Sequence, residues 1–262
     1  MPAITLTYFS EEIHGVKFGS GPRLLVALPG YNDRAANLEI LEQALGERFT
    51  VYAIDLPKHG NTHWNRESFS PADLNALVLS IMQLEHKQEL SLLGHSLGAR
   101  LLFSTMVHEN LPVEQVILLA PDGLDTKGLQ FVQLFPAWLR HLMCKILANP
   151  DWLLTLARFA RRLKLLPASI SHFILVHLAN RVRRERMCWY WDVLSNFPVS
   201  IKTLRAFLES SNTAITIYLG ERDKTVRTKS IQNLAAGLPR TRLYLIDQDH
   251  QMVNAKLNEQ LR

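Results

Sequence analysis

Short apolar runs alternate along this chain with amphipathic stretches, and that alternation limits the fold more than any other feature. The runs lie at residues 4–9, 23–28, 50–56, 90–93, 116–120, 214–219 and 243–246, and are rich in leucine or β-branched residues. Apolar residues at helical spacing occupy 35–45, 72–84, 97–107 and 229–238 between them. A strand that returns to its sheet through a helix runs parallel to its predecessor, and a parallel sheet buries both faces under helices. The expected class is therefore α/β, a mostly parallel central sheet with helices on both faces. A chain of 262 residues is long enough for one large core. In such sheets chemistry gathers at the carboxyl ends of the strands.

The alternation breaks once, between residues 125 and 210, where no strand pattern occurs. Several helices are expected there, punctuated by Pro136, Pro150, Pro167 and Pro198, with apolar clusters at HFILVHLAN (172–180) and WYW (189–191). Because strands precede and follow it, the segment is read as a helical cap inserted before the last two strands. The expected domains are a core of 1–124 with 211–262 and a cap of 125–210.

Charge is unevenly shared between them. Residues 127–209 hold thirteen Lys and Arg against four Asp and Glu, a net of +9, and the rest of the chain nets −4 within the total of +5. RFARRLK (158–164) and RVRRER (181–186) are the densest parts. Three readings stay open: solvated helix faces, attraction of an anionic substrate, or peripheral contact with an anionic membrane. No nucleic-acid module accompanies the charge, so no nucleic-acid partner is expected.

The opening MPAITLTYFS has neither the basic start nor the apolar middle of a signal peptide. No apolar run reaches the roughly 18 residues of a membrane span. Cys144 and Cys188 have no metal-ligand spacing and form no disulfide framework, so reduced, buried thiols in a cytoplasmic protein are expected.

Within LLGHSLGARLL (92–102), Gly94, His95, Ser96, Leu97 and Gly98 form a G-x-S-x-G between a strand pattern and a helix pattern. A strand that turns at once into a helix strains its central residue, and side chains two positions away on either side would collide with the neighbouring elements. Such a turn presents the Ser96 oxygen at a helix amino end, where N–H groups favour developing negative charge. The pentapeptide alone is a weak signal; the order of three other segments strengthens it.

With those segments the chain resembles the α/β-hydrolase superfamily over nearly its whole length, in particular the cap-bearing branch of esterases, lipases and thioesterases. LLVALPGYNDRAANLE (24–39) looks like the family's oxyanion loop, with Pro29 where a histidine is usual. The resemblance implies that the backbone N–H groups of Tyr31 and Leu97 form the oxyanion hole. AIDLPKHGNTHW (53–64) is similar to the D-x-P-x-H-G turn, which gives Asp55 and His59 an architectural role and puts Lys58 where glycine is common. The family's order of serine, acid and histidine implies a triad of Ser96, Asp223 from ITIYLGERDKTV (215–226) and His250 from LYLIDQDHQMV (243–253). Asp249 stands where the family more often has glycine. Glu221, Asp247 and above all Asp122 compete for the role of acid, since some relatives carry it after the earlier strand.

These residues imply transfer of an acyl group to water, with no cofactor and no metal. The expected substrate is a small to medium, largely apolar carboxylic ester or thioester, and Trp189, Trp191 and Phe197 are candidates for its pocket. Two other functions stay open on the same residues: a lyase or carbon–carbon bond hydrolase with the same triad, and a non-catalytic protein that senses a ligand or docks.

Overall fold

The computed structural model describes residues 3–122, 132, 135–163 and 180–261. Its strands are β1 (Ala3–Tyr8), β2 (Glu11–Phe18), β3 (Arg23–Leu28), β4 (Phe49–Ile54), β5 (Leu90–His95), β6 (Val113–Leu119), β7 (Ala214–Gly220) and β8 (Thr241–Ile246). They form one sheet in the order β1-β2-β4-β3-β5-β6-β7-β8. β3 to β8 are parallel, while β1 and β2 pair antiparallel at one edge. The central strands are buried nearly end to end, as strands covered on both faces must be. From β3 the chain winds outward to β4, then returns to lay β5 on the other side of β3. In open parallel sheets such a reversal marks the place where ligands bind, here the carboxyl ends of β3 and β5.

β2 was not legible in the sequence. Its EEIHGVKF carries polar residues and a glycine, both poor strand signals. The fold explains the glycine: a Cβ on Gly15 would lie 2.2 Å from the Ala53 carbonyl oxygen of neighbouring β4.

Helices α1 (Glu42–Leu45), α2 (Pro71–Leu84), α3 (Leu97–His108), α7 (Ile201–Ser210), α8 (Thr228–Ala235) and α9 (Leu257–Leu261) accompany the sheet. The expected helix at 35–45 splits into a 3₁₀ turn, Ala35–Leu41, and the short α1. The Ser70 hydroxyl and the Asp73 carboxylate cap each other's backbone N–H groups at the start of α2, and Pro71 follows in the first turn. Residues 97–106 of α3 are buried all round, the mark of a central helix. Leu25, Ala27, Val51, Ala53, Leu93 and Leu119 join Leu38, Leu41, Leu257 and Leu261 in one apolar core.

The chain divides into two compact units, residues 1–126 with 196–262, and residues 127–195. The return to the first unit thus begins at Asn196, ahead of the expected boundary at 210, because α7 buries Leu204 and Leu208 and packs on α3. The second unit contains α4 (Ala137–Ala148), α5 (Asp151–Arg162) and most of α6 (Arg181–Asn196). Val132, Leu147, Leu154, Met187 and Trp191 form its own core. Most of the apolar run 172–180 lies outside the described residues.

The two cysteines are not the reduced thiols expected from the sequence. Cys144 on α4 and Cys188 on α6 are joined in a disulfide, with Cα atoms 5.8 Å apart. Their separation of 44 residues is no guide to this pairing, which exists only because the two helices pack on one core. With the pair bonded, cysteine usage no longer supports the cytoplasmic expectation. Among the described residues no helix is long and apolar enough to cross a membrane.

Candidate active site

Ser96 links β5 to α3 with φ 50° and ψ −112°. A non-glycine residue held there stores on the order of 1–3 kcal/mol of strain, which its surroundings must enforce. The flanking glycines show how. A Cβ on Gly94 would fall 2.6 Å from the Ala99 backbone, and one on Gly98 would fall 2.4 Å from the Leu28 carbonyl oxygen. The Ser96 N–H donates to the Leu119 carbonyl oxygen at 2.9 Å, and the Ser96 carbonyl accepts from the Asp122 N–H at 3.2 Å. The turn is thereby fastened to the end of β6.

Ser96 Oγ lies 2.9 Å from His250 Nε2, and His250 Nδ1 lies 2.8 Å from Asp223 Oδ2. The other carboxylate oxygen of Asp223 accepts from the backbone N–H groups of Thr225 at 2.7 Å and Val226 at 3.0 Å. Burial alone would raise the Asp223 pKa, but the hydrogen bonds from His250, Val226 and Thr225 outweigh it and hold the carboxyl below its usual range. An ionised carboxylate only accepts, so the His250 ring proton sits on Nδ1 and Nε2 is left to accept from the Ser96 hydroxyl. The Asp223 side chain is 2% exposed and that of His250 18%, so the carboxylate is sealed while the imidazole remains reachable. An open cleft of about 760 Å³, lined by residues 221–225 and 249–251, lies beside the pair.

The three residues come from loops after β5, β7 and β8, which meet at one edge of the sheet. The Glu221 N–H donates to the Ile246 carbonyl oxygen and the Arg222 N–H to that of Gln248, tying the Asp223 loop to the His250 loop. Of the rival carboxylates, Asp247 pairs with Arg222 at 3.1 Å and Glu221 is exposed. Asp122 follows β6 and meets Ser96 through its backbone, whereas the imidazole N–H is directed to Asp223. Asp249 turns its own carboxylate to the Gln251 N–H at 3.0 Å, which shapes the loop around His250.

The loop after β3 lies against the serine. A Cβ on Gly30 would stand 3.0 Å from His95 Nδ1 and 3.4 Å from Ser96 Cβ, which places Tyr31, the next residue, near the Ser96 turn. Leu97 is the first residue of α3, so its N–H is among those a helix leaves without an intrahelical partner. The Tyr31 ring meets that of His59 edge-on at 5.8 Å. Asp55 accepts from the N–H groups of Ala35 at 2.7 Å and Asn61 at 3.0 Å, an architectural task. Lys58, where glycine is common, sits at φ 62° in the left-handed region.

His95 was overlooked in the sequence, although it lies inside the motif. Its ring is buried, and Nε2 is 3.0 Å from the His250 carbonyl oxygen, so Nε2–H holds the His250 loop. Burial pushes the His95 pKa down, only partly offset by that hydrogen bond, and keeps the ring neutral. The aromatic candidates occupy core positions. Trp191 belongs to the core of the second unit, Trp189 is buried, and Phe197 packs on Phe69 at 5.4 Å in the first. Among the described residues no group of three or more His, Cys, Asp or Glu side chains is placed to hold a metal ion.

A family model described as "Alpha/beta hydrolase family" matches residues 25–255. A probable serine hydrolase of Drosophila melanogaster is 30% identical over 109 residues, covering 40% of this chain and 33% of that protein. The matches span only about a third of the length of the curated relatives, 33% here and 37% for a protein of Mycobacterium tuberculosis. A thermophilic esterase from Thermogutta terrifontis superposes with a TM-score of 0.71 at 14% identity, over 100% of this chain and 97% of that one. A thioesterase domain from the curacin biosynthetic pathway gives 0.68 at 19% identity, over 100% and 99%.

Proposed function

This chain belongs to the alpha/beta hydrolase family, and from that premise we propose that it is a serine hydrolase that cleaves a carboxylic ester or thioester through an acyl-enzyme. One observation carries the reading: a hydroxyl, an imidazole and a carboxylate in series at 2.9 and 2.8 Å, with the hydroxyl on a strained turn at the head of α3. A free serine is too weak an acid to attack a carbonyl at neutral pH. His250 Nε2 takes the hydroxyl proton as Ser96 Oγ bonds to the carbonyl carbon, and Asp223 stabilises the imidazolium that forms. The carbonyl oxygen, now an anion, lies against the N–H groups of Leu97 and Tyr31, each worth about 2.7–4 kcal/mol in comparable sites. His250 then protonates the departing alcohol or thiol. A water that enters in its place is activated by His250, attacks the acyl carbon and frees Ser96. The esterase and thioesterase with similar folds, and the Drosophila relative's name, accord with this chemistry.

Labelling with a fluorophosphonate tests the reading. Wild type is expected to label, and Ser96→Ala and His250→Ala to lose the label while keeping the wild-type Tm. A folded wild type that does not react would refute an activated serine. Esters, thioesters and vinylogous diketones offered to the unlabelled wild-type enzyme then separate acyl transfer from carbon–carbon bond cleavage.

A further inference from the structure

Two helices of the second unit carry two apolar faces each. On α5, Leu154 and Ala157 are buried, while Trp152, Leu156, Phe159 and, one residue past its end, Leu163 are all more than half exposed. At 100° per residue these four fall within an arc of about 60°, a single stripe on the side away from the unit's core. α4 repeats the pattern: Leu147 faces the core, and Trp138, Leu142 and Ile146, four residues apart, are exposed. Soluble surfaces scatter such residues singly, and a continuous stripe marks a surface that something covers. The chain has five tryptophans, of which Trp64, Trp189 and Trp191 are buried. Both exposed ones, Trp138 at 68% and Trp152 at 56%, stand in these stripes.

The charges beside the stripes say what covers them. Lys145, Arg158, Arg161 and Arg162 are exposed, and Asp151 is the only acidic residue in the two helices. Arg162, three residues after Phe159, borders the α5 stripe along one edge, Arg158 lies one turn before it further round the polar flank, and Lys145 borders the α4 stripe. The whole second unit, residues 127–195, holds eleven Lys and Arg against three Asp and Glu, a net of +8. A second copy of this chain seated on the same face would press arginine against arginine, and like charges brought together at an interface are costly. An apolar stripe with tryptophan, edged by arginine, suits a bilayer, where the rings sit at headgroup level and the guanidinium groups meet lipid phosphates.

We propose that the exposed face of α5 docks this protein in the plane of an anionic lipid bilayer. Leu156 and Phe159 enter the acyl boundary, Trp152 rests among the headgroups, and Arg162 at the flank of the stripe, with Arg158 one turn before it, meets lipid phosphates. The inference is independent of the catalytic reading and is tested without activity.

Sedimentation of the full chain with phosphatidylcholine vesicles, with and without phosphatidylglycerol, provides the test. Binding is expected only with phosphatidylglycerol, accompanied by a blue shift of tryptophan emission and weakened by salt. Trp152→Ser/Leu156→Ser/Phe159→Ser and Arg158→Glu/Arg162→Glu alter only exposed side chains and are expected to keep the wild-type Tm while partitioning at least about tenfold more weakly. Wild type left in the supernatant, or binding that both variants retain, overturns the proposal. So does an oligomer, seen by light scattering, that the serine variant dissolves while wild type ignores vesicles; that outcome assigns the face to self-association.

Discussion

Replacing Asp223 by asparagine tests the site at the atom that defines it. The Oδ1 of the new amide must keep the two backbone N–H groups of Thr225 and Val226, since turning the amide over would set its NH₂ against two donors. The NH₂ is therefore left facing His250 Nδ1, at the position of the oxygen now 2.8 Å away. A donor there forces Nδ1 to accept, which moves the ring proton to Nε2, and Nε2–H cannot take the Ser96 proton. The geometry survives while the tautomer is wrong. A comparable carboxylate-to-amide change lowers kcat about 10⁴-fold, equivalent to about 5.4 kcal/mol of transition-state stabilisation. Hydrolysis of p-nitrophenyl acetate, followed as initial rate with Tm as the control for folding, is the assay. Asp122→Asn in parallel is expected to stay within about tenfold of wild type. An Asp223→Asn enzyme of near-wild-type rate, or a collapse confined to Asp122→Asn, would falsify the assignment of the acid.

Gly98→Ala is expected to cost about 1–3 kcal/mol, several degrees of Tm, and most of the activity, because the new methyl meets the Leu28 carbonyl at 2.4 Å; an unchanged Tm would show that the turn can yield. His95 resists protonation in the folded protein more than in the unfolded chain, because burial lowers its pKa. Its contribution to stability is therefore complete above the unfolded imidazole value of about 6.5 and declines as pH falls toward the lower folded value. His95→Gln should lose less Tm than wild type between about pH 7 and pH 5, and parallel losses would remove His95 from that account. The Cys144–Cys188 bond closes a separation of 44 residues, for which chain entropy predicts about 4 kcal/mol. Thiol titration of denatured, unreduced protein should find no free cysteine and reduction should lower Tm, whereas two titratable thiols would contradict the bond.

Features built from neighbouring residues could be read from the chain alone. The alternation of strands and helices is carried by periodicity, and the sharp turn at Ser96 by the two glycines that flank it two residues away on either side. The order of serine, acid and histidine along the chain could be read as well. Features that depend on which distant segments become neighbours could not. Asp122 and Asp223 both follow strands, and nothing in either segment says which of them His250 meets; the order β5-β6-β7-β8 and the loop ties after β7 and β8 bring Asp223 to 2.8 Å. β2 escaped notice because its pattern makes sense only beside β4, where Gly15 must have no Cβ. The cysteine pair was misread because a disulfide requires a short Cα separation, which packing of α4 against α6 supplies and residue spacing does not. Local sterics and periodicity act over a few residues and leave their mark in the letters. Contact between remote loops is a property of the folded sheet, and it decides which carboxylate, which thiol and which histidine face one another.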